Sequence, residues 1–222
     1  MEEMPDRARV ELGAIVSTFP IDSRAPKSTE WRGGLPTLAG SVVTLRELQP
    51  ADAHALFSAL TTAEVARFIS PPPTAIDGFE KFIAWTRRHR EAGQYVCFAV
   101  VSKESDVVIG LFQVRSLEPD FGVAEWGFAI ASEFWGTGAF VDGARLALDF
   151  AFTTIGSHRL EARSATVNGR GNGALRKIGA TREGVLRKSF LRNGEYLDQA
   201  LWTILADDWL AAKATWGSPI IH

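Results

Sequence analysis

The sequence predicts a mixed α/β domain, and three observations carry that prediction. Four runs of strand-like composition, QYVCFAVVS, DVVIGLFQVR, VAEWGFAIA and HRLEARSA, are interleaved with segments whose apolar residues recur every three or four positions. The first two runs are apolar on both faces, as a sheet covered on both sides requires. Two long β-like runs, VLRKSFLR and EYLDQALWTILA, flank Asn193-Gly194, the residue pair that suits a tight hairpin.

The elements follow in order along 222 residues, the length of one ordinary domain with tails. Residues 1–40 carry Pro5, Pro20, Pro26, Pro36 and Gly33-Gly34 without a sustained period, and are expected to form an irregular extension that wraps the domain. The domain proper is set at 41–210 and a tail at 211–222. SVVTLREL reads as a strand, and Pro50 opens a helix with Ala53, Leu56, Phe57 and Leu60 on one side. Arg46 and Asp52 are placed to tie that strand to that helix. Pro71-Pro72-Pro73 forces an extended loop, and a second helix with Phe79, Phe82, Ile83 and Trp85 runs out at Gly93. The three strands come next, then a helix whose buried stripe is Phe140, Ala144, Ala147, Leu148, Ala151 and Ile155, with Asp142, Arg145 and Asp149 outside. HRLEARSA gives a strand, NGRGNGALRKIGA a turn and short helix, and the hairpin closes the domain. Trp31, Trp209 and Trp216 are expected to anchor the tails by packing. No internal repeat is present.

Composition narrows the function. Net charge is −2, with 46% hydrophobic and 23% charged residues, so no broad field gathers nucleic acid or anionic membrane. The opening MEEMPDRARVE lacks a basic start and an apolar core segment, and no apolar run is long enough to span a bilayer, which points to the cytoplasm. The lone Cys97 sits in an apolar strand and reads as a small buried hydrophobe. His54, His89, His158 and His222 are scattered, so no metal site is expected. Neither a Gly-x-Ser-x-Gly elbow nor a Gly-Lys-Ser/Thr phosphate loop occurs.

What remains is EFWGTGAFVDGARL, where Gly136 and Gly138 stand between a strand and a helix. A helix start exposes unpaired N–H groups and a positive dipole end, and glycine both removes Cβ atoms that would hold a phosphate away and allows φ > 0. A tight turn explains two glycines equally well. A dinucleotide fingerprint has some support from Glu161, about twenty residues on, but Val141 occupies its third glycine position and only one β-α-β unit exists.

WGTGAFVDGARLALDFAF, HRLEARSATVN, LRKIGATREGVLR and NGEYLDQALWTILADDW together resemble the GCN5-related N-acetyltransferases (GNAT), in particular the branch that acetylates N-terminal amines of ribosomal proteins. The resemblance runs from about Ser41 to Trp209. It implies an acyl-coenzyme A N-acyltransferase fold with a splayed, partly parallel central sheet. It implies that Trp135, Gly136, Thr137, Gly138 and Ala139 bind the pyrophosphate of acetyl-coenzyme A through their amides. Pantetheine would run between the strands VAEWGFAIA and HRLEARSA, pairing near Phe128 and Ile130. By the same resemblance Asn168 contacts the cofactor, although a helix N-cap accounts for it equally.

An amine attacks a thioester only as the free base, and amines with pKa of about 8 to 10 are largely protonated at neutral pH. Glu125, alternating with Trp126 across the sheet, is the candidate general base, with partial burial expected to raise its pKa; an acid paired with a nearby arginine is the competing reading. Strand N–H groups are candidates to stabilise the oxyanion. The sequence departs from the family at Glu133, an anion beside the proposed anion site, and at Gly171 and Leu175, where the family places a serine or tyrosine as general acid. That leaves Asn172 through water, solvent itself, or no acid. Acceptor choice is expected from SPPPTAIDG and from Arg187, Lys188, Arg192 and Asn193 of the hairpin, whose basic residues suit either an acidic acceptor or a solvated face.

The function expected is therefore acetyl-coenzyme A dependent transfer to a primary amine in a ternary complex, with no nucleic acid or membrane partner and with a homodimer left open. The alternatives are a non-catalytic acyl-coenzyme A binding module of the same fold and, behind it, a nucleotide-dependent oxidoreductase.

Overall fold

The computed structural model of the chain describes residues 28–215. Strands β1 (Leu38–Ala39), β2 (Val43–Glu47), β3 (Tyr95–Ser102), β4 (Val108–Ser116), β5 (Val123–Ile130), β6 (Arg159–Ala165), β7 (Thr181–Arg192) and β8 (Glu195–Leu205) form one sheet. Their order is β1-β2-β3-β4-β5-β6-β8-β7, and every neighbouring pair is antiparallel except β5 and β6. Short connections join β3, β4 and β5, which forces antiparallel pairing, whereas a helical crossover between β5 and β6 allows the parallel pair. The helices are α1 (Ala53–Leu60), α2 (Ala63–Ala66), α3 (Ile76–Glu91), α4 (Ala139–Phe150), α5 (Gly169–Lys177) and α6 (Ala206–Thr215).

The sheet separates two buried clusters, because alternate residues of each strand face opposite ways. On one face α4 and α5 cover Val96, Phe98, Val100, Phe112 and Trp126, with Ala144, Ala147 and Leu148 of α4 buried as the helical period predicts and Ala151 and Ile155 buried in the π-helical turn (Ala151–Ile155) that follows it. On the other, α1 and α3 set Leu56, Phe79 and Ile83 against Cys97, Ala99 and Leu111. Cys97 is buried there, and burial pushes its thiol pKa up, which makes it inert. Among the described residues no helix is long and apolar enough to cross a membrane.

Both ends of the described chain pack onto the sheet, through the tryptophans expected to anchor them. Trp31 is 2% exposed and meets Phe121 edge-on at 5.6 Å, the Ser28 N–H donates to the Thr154 carbonyl at 3.2 Å, and β1 pairs with β2. The described part of the extension, residues 28–40, is thus packed onto the domain. At the other end α6 carries Trp209, 2% exposed and 6.1 Å from the Phe152 ring, so the helix crosses the expected boundary at 210. Trp216 and residues 1–27 lie outside the described residues. Helix α2 was also not expected; four residues are too few for a period to show, and Thr62 caps it by accepting from the Val65 N–H at 3.4 Å.

Arg46 and Asp52 form the expected tie, with two hydrogen bonds of 2.7 and 2.8 Å. Asp142 is not simply an outward-facing acid. Its carboxylate accepts the N–H groups of Ser41, Val42 and Val43 at 3.1, 2.7 and 3.0 Å, fastening the start of β2 to the first turn of α4. Burial opposes ionisation there, but the three N–H donors prevail and hold its pKa below the ordinary 3.8. A folded-state pKa that is depressed gives stability above the unfolded value, lost as pH falls through the folded one. Asp142→Ala is expected to cost about 1–3 kcal/mol at neutral pH, with the cost shrinking as pH drops below the ordinary aspartate value. Urea unfolding of both proteins across that pH range measures it, and equal midpoints at neutral pH would contradict the fastening role.

Candidate active site

The parallel pair is short. Only Val123↔Arg159, Ala124↔Leu160 and Glu125↔Glu161 are in register; beyond them β5 stays on β4 as far as Gly110↔Ile130, and β6 stays on β8 as far as Ala165↔Gln199. The two strands therefore part like a fork after Glu125 and Glu161. Strand residues use their backbone groups alternately to one side and the other. Since the Ala131 N–H donates to Ile109 of the β4 side at 2.8 Å, the backbone groups of Trp126, Phe128 and Ile130 are directed into the gap. The carbonyl of Ile130 is already taken by the Trp135 indole N–H at 2.9 Å.

At the open end of the fork stands the glycine turn. Gly136 and Gly138 have φ of 83° and 94°, values that a residue with a Cβ adopts only under strain, and Gly138 is the N-cap of α4. The first backbone bond of the helix runs from Asp142 N–H to Gly138 at 3.0 Å, leaving the preceding turn with the orphan N–H groups of any helix start. A cavity of about 540 Å³ opens on this mouth. Phe128, Ile130, Trp135, Gly136, Gly138 and Asn168, all named as candidates from the sequence, line it. Thr137 and Ala139 do not: the Thr137 hydroxyl donates to the Phe134 carbonyl at 2.8 Å, and Ala139, fully buried, turns its N–H toward that hydroxyl at 3.4 Å. Glu133 is exposed and absent from the lining, so the anion feared at an anion site faces elsewhere.

Sequence reasoning missed the cations. Arg67, Arg170 and Lys177 line the cavity against one acid, Glu64, and the Arg170 guanidinium lies over the Trp135 ring at 4.2 Å. Arg170 and Lys177 sit in the first and last turns of α5, a spacing visible in NGRGNGALRK but unassigned without the cavity. Arg67 arrives from beyond α2, on the opposite bank.

Asn168 is the N-cap of α5, its Oδ1 accepting the Gly171 N–H at 2.9 Å, and it still borders the cavity. Asn172 is a correction. Its Nδ2 donates to the Ala165 and Asn168 carbonyls at 2.9 and 2.7 Å, and its Oδ1 accepts from the Trp202 indole at 2.9 Å, so its polar atoms are spent on joining β6, α5 and β8. It neither borders the cavity nor stands free to relay a proton. A Cβ on Gly171 would strike the Asn168 amide and come within 2.9 Å of the Ser164 hydroxyl, while Leu175 is 1% exposed in the core. Ser164 Oγ and Trp126 Nε1 are buried without a protein partner, one on each arm of the fork and on the same face of the sheet.

Glu125 faces the other side of the sheet, at the last rung before the fork. Its carboxylate is 26% exposed and binds Arg115 Nη2 at 2.8 Å across the β4–β5 pair. Isolation by burial, expected for a base, is therefore not what surrounds it; the arginine-paired arrangement is. The rung continues on both sides as Tyr95↔Arg115 and Glu125↔Glu161. Tyr95 is buried, which pushes its phenol pKa up, and its hydroxyl donates to Gln113. Glu161 leans on Arg159 at 3.0 Å, and Arg159 also grips both oxygens of Glu183, which with the Thr203 hydroxyl holds the Glu183 carboxyl down to about 2.

Of the hairpin residues expected over the site, Arg192 reaches across to α2, donating to the Ala66 and Arg67 carbonyls at 2.6 and 3.3 Å. Lys188, with φ of 51° in a bulge of β7, folds back onto the Tyr196 carbonyl at 3.1 Å. Asn193 and Gly194 make the turn with φ of 50° and 81°.

Comparison with known proteins agrees with this geometry. Residues 43–181 match the acetyltransferase (GNAT) domain family. The uncharacterized N-acetyltransferase p20 of Bacillus licheniformis is 26% identical over 170 residues, 76% of this chain and 96% of its own length. The spermidine N(1)-acetyltransferase of Escherichia coli K12 is 30% identical over 112 residues, 50% of this chain and 60% of its own. Mycobacterium smegmatis RimJ, solved in complex with CoA-disulfide, shares the fold with a TM-score of 0.69 at 21% identity, over 81% of this chain and 95% of its own. With its forked sheet, its glycine-capped helix mouth and a family match over most of the domain, this chain belongs to the GNAT family of N-acetyltransferases.

Proposed function

We propose that this N-acetyltransferase uses acetyl-coenzyme A and transfers the acetyl group to a primary amine by direct attack in a ternary complex. The observation that carries the reading is the coincidence of two features in one cavity: unpaired strand backbone in the fork and the glycine-opened start of α4. The residues suit the donor. A diphosphate needs N–H groups, close approach and positive charge; the α4 mouth, the bare Cα of Gly136 with no atom within 4 Å of a would-be Cβ, and Arg67, Arg170 and Lys177 supply them. An amide-bearing arm in the gap would meet the backbone groups of Phe128, which lines the cavity.

In the reaction the amine nitrogen attacks the thioester carbonyl carbon, the C–S bond breaks, one amine proton passes to a base, and the thiolate takes up a proton. Glu125 is the proposed base, standing at the point where the strands part. Fork N–H groups stabilise the oxyanion. Since Asn172 is committed and positions 171 and 175 are glycine and buried leucine, solvent protonates the thiolate.

Release of free thiol from acetyl-coenzyme A in the presence of a panel of amines and N-terminal peptides tests the function. Coenzyme A binding without thiol release for any acceptor would leave only a binding module. Glu125→Gln is expected to lower kcat about a hundredfold or more and to flatten the rising limb of the pH-rate profile, with coenzyme A affinity by calorimetry unchanged; an unaltered profile removes Glu125 from the role. Gly171→Ser, which restores the serine of the family, is expected to leave kcat no higher and to cost about 1 kcal/mol by disturbing the Asn168 cap. Faster turnover in that variant would show that position 171 can accept an acid after all.

A further inference from the structure

We infer, on the strength of the transferase reading above, that the acceptor carries a carboxylate a few bonds from its reacting amine and that Arg115 recognises it. A second cavity, of about 420 Å³, lies on the α3 face of the sheet and shares no lining residue with the first. Trp85, His89, Gln94, Arg115, Glu118 and Asp120 are among its walls, and Arg115 is its one guanidinium. The same guanidinium holds Glu125 at 2.8 Å, so a single side chain joins this cavity to the proposed base.

The geometry leaves room for a second anion. Arg115 is 55% exposed and gives Glu125 one hydrogen bond from one nitrogen, whereas a guanidinium offers five donors in a fork that fits a carboxylate with two. The two acids of the cavity wall do not compete closely for it. Asp120 faces Arg32 at 4.0 Å, and Glu118 Oε2 lies toward Gly122, 3.5 Å from where its Cβ would stand, on the His158 side. The Trp85 ring, 4.1 Å from His89 and 4.8 Å from Tyr95, provides an apolar wall for a short carbon skeleton.

The consequence is a hold on one oxygen of Glu125 that the correct acceptor releases. While Arg115 holds it, Glu125 Oε2 is occupied by a donor, and only Oε1 is open to an incoming amine. An acceptor whose carboxylate claims the Arg115 fork replaces Glu125 as the counter-ion, and the released carboxylate oxygen then lies beside the amine that the same molecule delivers. A neutral amine leaves the pair closed. Both a free amino acid and a peptide with an acidic first residue present this chemistry.

The test uses the full chain, acetyl-coenzyme A and matched acceptors, with rates expressed per free-base amine. One set compares glycine and β-alanine with their carboxamides, and the other compares tripeptides beginning with Asp or Glu with those beginning with Asn or Gln. The carboxylate member is expected to be favoured at least tenfold in kcat/KM in one set, and that set identifies the source. Arg115→Gln should lose at least tenfold on the carboxylate member while kcat/KM for its neutral counterpart rises, because Glu125 is no longer held; Arg115→Lys should recover part of the preference. The inference is overturned if the neutral members are used as well or better in both sets, or if Arg115→Gln lowers both members in proportion, as loss of structure would. Failure of every amine to raise thiol release above the amine-free rate overturns the transferase reading and this inference with it, whereas release with neutral or polycationic amines alone overturns the inference only.

Discussion

Three residue pairs join β5 to β6, and the rest of the molecule is arranged around their small number. Each strand has a firmer partner on its outer side, β4 for β5 and β8 for β6, with seven register pairs apiece. Two antiparallel half-sheets, each following its own twist, are thus hinged at Val123–Glu125 and free to diverge beyond it. Divergence leaves strand backbone without a neighbour, a state that buried polar groups do not tolerate unless something else pairs with them. The parallel pair also dictates a helical crossover, and a crossover leaving the C-terminal end of β5 begins its helix at the open end of the fork. One topological choice therefore creates the gap and aims a helix start into it.

The sheet also divides the chemistry. On the α4 and α5 face the fork is bordered by Phe128 and Phe140, 4.4 Å apart, and by the cations of α5. On the α1 and α3 face one rung, at the hinge, carries Tyr95, Arg115, Glu125 and Glu161. A donor and an acceptor entering from opposite faces would meet where the strands separate, which is where Glu125 lies. The link between Arg192 and the end of α2 closes over the second bank, joining elements 125 and 126 positions apart in the chain.

Much of this was legible in the sequence. Continuous apolar runs gave β3 and β4, strand-like composition gave β5 and β6, and the pair Gly136 and Gly138 marked the helix mouth, where their φ values of 83° and 94° suit glycine. What was not legible depended on register or on distance. The ion pair of Glu125 requires knowing that Arg115 stands opposite it across a hairpin. The three hydrogen bonds of Asn172 come from three separate elements, so the residue resembled a free polar side chain. Asp142 followed the helical period of a solvent-facing residue, yet backbone from one hundred positions earlier comes to it. Arg67 and the packed segment 28–40 were hidden because the folding of neighbouring short elements, α2 and β1, leaves no periodic trace.

The central claim is that the parted strands and the start of α4 together form the acyl-donor site. A crystal structure of the protein with coenzyme A tests it most directly. The account requires the diphosphate within hydrogen-bonding distance of main-chain N–H groups around Gly136 and Gly138, and the pantetheine arm lying between β5 and β6 beside Phe128. Coenzyme A bound elsewhere, with side chains filling that gap, would contradict it.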